Sequence, residues 1–234
     1  YLLKILSWHE NKSPDSIDFI TDKKLYVIGE SHALISHQLR VQRSGSDFLC
    51  KSFLIQGCMQ WALGNSIRNQ YKTKFEGVMR SLPKSSEILL AIGEIDCRSD
   101  SGIINHRSKY PQKNIKELIA TTIENYFYYI DTVNSCYGHK IIIQGVPCPN
   151  IGQKNIAKEK VMELIDVIRG FNVELKSKSK KMGFDFLDLY KLTDRGDGFS
   201  NNIWHLDQYH LSAEGMHEAW REYSFDSSPT ITFQ

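Results

Sequence analysis

Short apolar runs alternate along this chain with longer stretches in which apolar positions recur every three or four residues. The runs are "KLYVI" (24–28), "SFLIQ" (52–56), "EILLAI" (87–92), "KIIIQGV" (140–146) and "FDFLDL" (184–189). They are short and rich in Ile, Leu, Val and Phe, as strands buried on both faces are. Between the third and fourth runs, Ile115, Leu118, Ile119, Thr122, Ile123, Tyr126, Phe127 and Ile130 share one helical face. After "PCPN", the residues Ala157, Val161, Leu164, Ile165, Ile168, Phe171 and Leu175 repeat the pattern and predict a second long helix. Ser212 is placed to cap a last helix ahead of "AEGMHEAW". Strands alternating with helices predict an α/β domain with a mostly parallel sheet. In such open sheets ligands bind beyond the carboxyl ends of the strands, so chemistry is expected just after residues 28, 56, 92, 146 and 189.

Composition narrows the picture without redirecting it. At 234 residues, 41% hydrophobic and 24% charged, the chain suits one ordinary domain with a sizeable core, read here as spanning 1–234. No internal repeat or low-complexity linker divides it. The formal charge of +2, from 29 basic and 27 acidic residues, implies no general attraction to nucleic acid or an anionic membrane. The lysine run "KSKSKK" (176–181) closes a predicted helix, where cations suit the negative end of the helix dipole. The five cysteines are widely spaced with no C-x-x-C pair, which fits free thiols in a reducing compartment and suggests no zinc site. No apolar run approaches the roughly 18 residues that span a bilayer, and no secretory signal opens the chain. A cytoplasmic protein is the expectation. The chain starts at Tyr1 rather than methionine, so it is read as a piece of a longer protein with other domains.

Four of the strand ends carry suggestive residues: "GESH" (29–32), "QGC" (56–58), "GEIDCR" (93–98) and, beyond the fifth run, "DQYHLS" (207–212). A serine hydroxyl is a poor nucleophile near neutral pH. It needs an imidazole within hydrogen-bond reach and a carboxylate that fixes the ring's tautomer. Ser31 supplies the hydroxyl, while His210 and Asp207, three residues apart, supply the other two groups from one segment. The amides of Ser31 and Gly57 are candidate donors to an oxyanion, since a glycine lets a bound carbonyl approach the backbone.

At this point the sequence resembles the SGNH hydrolases, also called the GDSL esterases and lipases. Gly-x-Ser-His after the first strand, a glycine after the second, Gly-x-x-Asp after the third and Asp-x-x-His-Leu near the end match that family's four blocks in order. The resemblance covers about residues 23–222. It implies a three-layer α/β/α, flavodoxin-like fold with five parallel strands in the order 2-1-3-4-5. It also implies Ser31 as nucleophile, His210 as general base, Asp207 as its orienting carboxylate and Gly57 as an oxyanion donor. The family's oxyanion asparagine, third in the block that reads "GEID", is Ile95 here. Loss of one such donor typically costs about a hundred- to thousandfold in rate. Arg98 or Asn65, each just beyond a strand's carboxyl end, is a candidate replacement; the other reading is a decayed site. "GEIDCR" resembles a variant in SGNH-like domains found beside sugar-modifying modules of larger bacterial proteins. Glu30 stands where the family has aspartate and keeps its charge.

The neighbouring residues are open to plainer readings. His32 is read as structural or substrate-lining, Asp96 as a brace for its loop, and Glu94 with Arg98 as a local ion pair. Arg98 alternatively meets an oxyanion or an acidic sugar. His205 is a rival base or a substrate contact, and His217 a surface residue. Cys58 and Cys97 are read as small buried side chains. Trp204 and Tyr209, with Trp61, are candidates for an aromatic platform under a sugar ring, although Trp61 equally suits a core. The polar segment 193–210 suits a substrate-binding loop. The expectation is a serine esterase acting on a small acyl ester, with an O-acyl (acetyl) group on a carbohydrate as the leading substrate and no metal or organic cofactor. The competing expectations are an O-acyltransferase with the same triad and a non-catalytic glycan-binding domain.

Overall fold

The structure is a computed structural model that describes Lys4 and residues 21–151 and 158–226. In chain order it has β1 (Lys24–Gly29), a 3-10 helix (Ser31–Ser36), β2 (Arg40–Arg43), β3 (Ser46–Leu54), α1 (Gln60–Gly64) and α2 (Gln70–Ser81). There follow β4 (Glu87–Ala91), α3 (Glu94–Cys97), α4 (Ile103–Lys109), α5 (Ile115–Asn134), β5 (Lys140–Gln144) and α6 (Lys158–Met182). The chain then forms β6 (Asp185–Leu187), α7 (Leu189–Thr193) and α8 (Ala213–Asp226).

One six-stranded sheet runs in the order β2-β3-β1-β4-β5-β6. Its five parallel strands, β3-β1-β4-β5-β6, follow the order expected from the sequence. The sixth strand is a correction: β2 pairs antiparallel with β3 at the edge, so the sheet is mixed rather than purely parallel. "RVQR" is too short and polar to stand out as a strand. Its hairpin is closed by Ser44 (φ 50°) and Gly45 (φ 70°), and two consecutive positive φ values give a turn whose twist matches that of the flanking strands. This hairpin and the 3-10 helix fill the crossover between β1 and β3, where an α-helix is the usual connection. The expected strands also shift at their ends, three of them by two residues or more. β3 starts at Ser46 rather than 52, β5 stops at Gln144, and β6 keeps only three residues because Asp188 already caps α7, accepting from Lys191 N.

Side-chain alternation in the strands builds two apolar layers, one on each face of the sheet. Ile28, Ile88, Leu90, Ile141 and Ile143 point into one layer, packed by Phe75 and Met79 of α2, Ile123 and Phe127 of α5, and Phe171 and Leu175 of α6. Leu25, Val27, Leu89, Ala91 and Ile142 point into the other, closed by Ala33 and Ile35 of the 3-10 helix and by Met216 and Trp220 of α8. The result is the three-layer α/β/α arrangement. Most periodic positions of the two long predicted helices face the first layer, among them Ile119, Ile123, Phe127, Ile130, Ile168, Phe171 and Leu175; Ala157 lies outside the described residues. Ser212 Oγ accepts from Gly215 N at 3.0 Å and caps α8 as its position predicts. The lysine run ends α6, with Lys180 and Lys181 in its last turn. Among the described residues, no helix is long and apolar enough to cross a membrane, and all five cysteines are free thiols.

Candidate active site

The central strand β1 delivers its last residue, Gly29, against β4 so closely that a Cβ there would lie 2.1 Å from the Ala91 carbonyl oxygen. Only glycine allows the two strands to stay paired to their carboxyl ends. The chain then turns, Glu30 caps the 3-10 helix by accepting from His32 N at 3.2 Å, and Ser31 becomes that helix's first residue.

The loop before α8 meets it from the other end of the chain. Ser31 Oγ is 2.9 Å from His210 Nε2, although 179 residues separate them. On the far side of the ring, His210 Nδ1 lies 3.0 and 2.9 Å from the two oxygens of Asp207. Asp207 Oδ1 also accepts from Tyr209 N and His210 N, both at 2.8 Å, so the carboxylate folds its own turn around itself. Main-chain bonds brace the loop: Leu206 N to His210 O at 2.8 Å and Ser212 N to Trp204 O at 2.6 Å. From β5's loop, Asn150 Nδ2 donates to Asp207 O at 3.0 Å. Burial opposes charge on Asp207, but the amides of His210 and Tyr209 and the His210 ring outweigh it and hold the carboxyl below its usual range.

A second acid and histidine flank the serine. Glu30 and His32 are both almost wholly buried, and His32 Nδ1 sits 2.7 Å from Glu30 Oε1. His32 Nε2 is 2.9 Å from the Tyr209 carbonyl oxygen, and its ring stacks on that of His210 with centroids 4.6 Å apart and planes at 25°. Ser31 Oγ donates to Glu30 Oε2 at 2.8 Å, so the hydroxyl has two acceptors, Glu30 and His210, for its one proton. Burial alone would lower the His32 pKa, but the Glu30 carboxylate prevails and raises it to about 9. His210 moves the other way: burial and then the His32 charge lower its pKa against the pull of Asp207. This pairing is not evident from the sequence, where Glu30 reads as a change that keeps the charge and His32 as structural or substrate-lining. The signal was the placement of two ionisable residues on either side of the serine.

No family model matches this sequence, and no curated protein matches it. Similarity appears in structure. A protein assigned as a GDSL-like lipase from Parabacteroides merdae superposes with TM-score 0.55 at 12% identity, over 89% of this chain and 98% of that one. A member of the lipolytic G-D-S-L family from Veillonella parvula gives TM-score 0.52 at 14% identity, over 89% and 100%. The acetyl xylan esterase AlAXEase gives 0.52 at 13%, over 88% and 100%. The chain has the fold of the GDSL-type hydrolases.

Within this GDSL-type fold, the other expected site residues take distinct places. Gly57 (φ +72°) forms the turn after β3, where Cys58 N donates to Ile55 O at 3.0 Å. The left-handed φ is the one a type II turn requires at this position. Asp96 accepts from Gln60 N at 2.8 Å and Trp61 N at 3.0 Å, bracing the first turn of α1 while burial pushes its carboxyl up to about 7. Ile95, on α3, carries no donor.

Both proposed substitutes for the asparagine have partners of their own. Arg98 Nε lies 2.9 and 2.7 Å from the Glu94 oxygens, and its guanidinium lies 4.4 Å from the centre of the Tyr209 ring. Asn65 Oδ1 accepts from Ile67 N at 2.9 Å, at the end of α1. It lines a pocket with Trp61, His106, Lys109, Lys113 and Asn125, whose walls do not include Ser31. The rival base is likewise engaged: His205 Nδ1 bonds Ser200 Oγ at 2.8 Å, and burial lowers its pKa to about 4.

The three aromatic residues do not form one platform. Trp204 packs partly buried on the start of α8, Trp61 is exposed beside Asn65, and Tyr209 lies under Arg98. Tyr209 also lines a narrow cleft with Arg98, Val146, Pro147, Leu164 and Gln208. Cys58 and Cys97 are buried, and burial pushes their thiols up, away from the reactive thiolate form. Among the described residues, no group of three His, Cys, Asp or Glu side chains is arranged to hold a metal ion.

Proposed function

We propose that the protein is a carboxylic ester hydrolase whose nucleophile is Ser31. The observation that carries this reading is the chain of contacts from Ser31 Oγ through the His210 ring to the Asp207 carboxylate, each at 2.9–3.0 Å. His210 Nε2 takes the serine proton as Oγ bonds the ester carbonyl carbon, and Asp207 holds Nδ1–H and stabilises the imidazolium. The backbone amides of Ser31 and Gly57 receive the oxyanion. Collapse of the tetrahedral intermediate breaks the ester C–O bond, and His210 returns its proton to the leaving alcohol. Water, activated by the same ring, then releases the acid from the acyl-enzyme.

A small acyl group on a carbohydrate is the substrate we favour. In support, one protein of the same fold is an acetyl xylan esterase. With Ile95 in place of an amide donor, the oxyanion rests on backbone alone, so turnover is expected about a hundredfold or more below that of a three-donor site.

Reaction with a fluorophosphonate probe tests the assignment directly. Wild type should be labelled, Ser31→Ala should not, and His210→Ala should slow acetyl-ester turnover about a thousandfold or more. An unlabelled wild type, or equal labelling of the Ser31 variant, would remove the nucleophile. Acetyl transfer to an added glycan outrunning hydrolysis would recast the enzyme as an O-acyltransferase with the same residues.

A further inference from the structure

We propose that Glu30 and His32 form a second, buried acid–histidine dyad that lays a fixed positive charge against the face of the His210 ring and so tunes the base. His32 is thereby a positioning residue for the catalytic imidazole. The proposal rests on the hydrolase reading of Ser31 and His210, and it concerns how that site is set rather than what it cleaves.

The geometry argues for the charge. His32 Nδ1 faces Glu30 Oε1 at 2.7 Å, and Nε2 faces the Tyr209 carbonyl oxygen at 2.9 Å. A carbonyl oxygen accepts only, and so does an ionised carboxylate, so both ring nitrogens carry hydrogen and the ring is an imidazolium. The other Glu30 oxygen already receives Ser31 Oγ and His32 N, as an ionised carboxylate does. The pair is inaccessible to water, and an opposite charge at this distance is worth most in such a place.

The consequence falls on His210. Its titratable and charged neighbours are Asp207 on its own loop, which favours the imidazolium, and His32 across the stack, which opposes it. Glu30 acts from behind Ser31 and favours the imidazolium more weakly. His205 is neutral by burial, and Glu94 is neutralised by Arg98. The stacked charge and burial together prevail, keeping His210 unprotonated and available as a base to lower pH than an Asp–His pair alone would permit. The same repulsion makes the protonated ring a stronger acid toward the leaving alcohol, a gain for poor leaving groups such as sugar hydroxyls.

The dyad also explains why a carboxylate and an imidazole bracket the nucleophile. One residue caps the 3-10 helix, orients Ser31 and carries the counter-charge. The other spans from that cap to the Tyr209 carbonyl and ties the nucleophile's turn to the base's loop.

The test is a nitrogen-15 titration of the histidine rings in wild type and Glu30→Gln, beside pH profiles for nitrophenyl acetate hydrolysis. In wild type, both nitrogens of His32 should be protonated at pH 7.5. In Glu30→Gln, which retains the cap through its amide oxygen, His32 should be neutral there. The His210 midpoint and the acid limb of the rate profile should then rise together by about one pH unit. A neutral His32 in wild type at pH 7.5 overturns the proposal without any variant, so failure of Glu30→Gln to fold would not protect it. A drop in rate at every pH, with the His210 midpoint unmoved, also overturns it and leaves a structural role alone. Coupled rings in a protein with no esterase activity would instead sink the functional reading and leave the dyad standing.

Discussion

His32 shows how much one side chain's surroundings change what it contributes. Its folded-state pKa of about 9 exceeds the ordinary value of 6.5, so its stabilisation is complete below about pH 6.5 and is lost as pH rises through 9. Glu30, held below 4.5, contributes above its ordinary value and is lost only in stronger acid. Asp96, raised to about 7, loses its own contribution as pH rises from its ordinary 3.8 through 7, below most of the window in which His32 acts. Thermal or urea unfolding should therefore show stability falling by on the order of 2 kcal/mol between about pH 7 and 9. Glu30→Gln should flatten that slope; an unchanged slope would mean that His32 is not charged in the folded protein. At this scale the sequence showed which residue types could react, since Ser31, Asp207 and His210 carry chemistry wherever they sit. It was silent on ring faces, because stacking of His32 on His210 depends on the angle at which two distant turns meet.

Among the elements, β1 is the one on which the site depends. It pairs with β3 on one side and β4 on the other, and Ser31's turn begins where it ends, with Glu30 N donating to Ala91 O of β4. Gly29→Ala would thrust a methyl group into the Ala91 carbonyl and prise β1 from β4 at the end that carries Ser31. A loss of about 2–3 kcal/mol is expected, read as a lowered unfolding midpoint, together with slower fluorophosphonate labelling. Labelling at the wild-type rate would show that the turn is held by Glu30 rather than by strand pairing. The long helices were legible because their apolar period extends over many turns; β2 was not, because a four-residue edge strand has only one covered face and takes its identity from the β3 partner. The same holds for β6, cut short by the capping side chain of Asp188.

At the level of the whole molecule, the sheet separates two apolar layers, and Ser31, His210 and Asp207 meet beyond the carboxyl end of its central strand. Trp220 is the largest fully buried side chain of the layer closed by α8, the helix that begins just after His210. Trp220→Ala should cost about 3–5 kcal/mol and, by loosening the anchor of the 204–212 loop, slow labelling of Ser31 in the protein that remains folded. Stability loss with unaltered labelling would show that Asp207 and the loop's main-chain bonds hold His210 by themselves.

The alternation of strands and helices, the burial of both sheet faces and the clustering of reactive residue types at strand ends were determined by the sequence, because periodicity and composition are local properties of a chain; the order of the five parallel strands was expected from the family resemblance alone. The meeting of Ser31 with His210, the antiparallel edge strand, the engagement of Arg98, Asn65 and His205 elsewhere, and the Glu30–His32 dyad were decided only in three dimensions. Each of those depends on contacts between segments far apart in the chain, and hydrogen-bond direction and ring stacking leave no period to read.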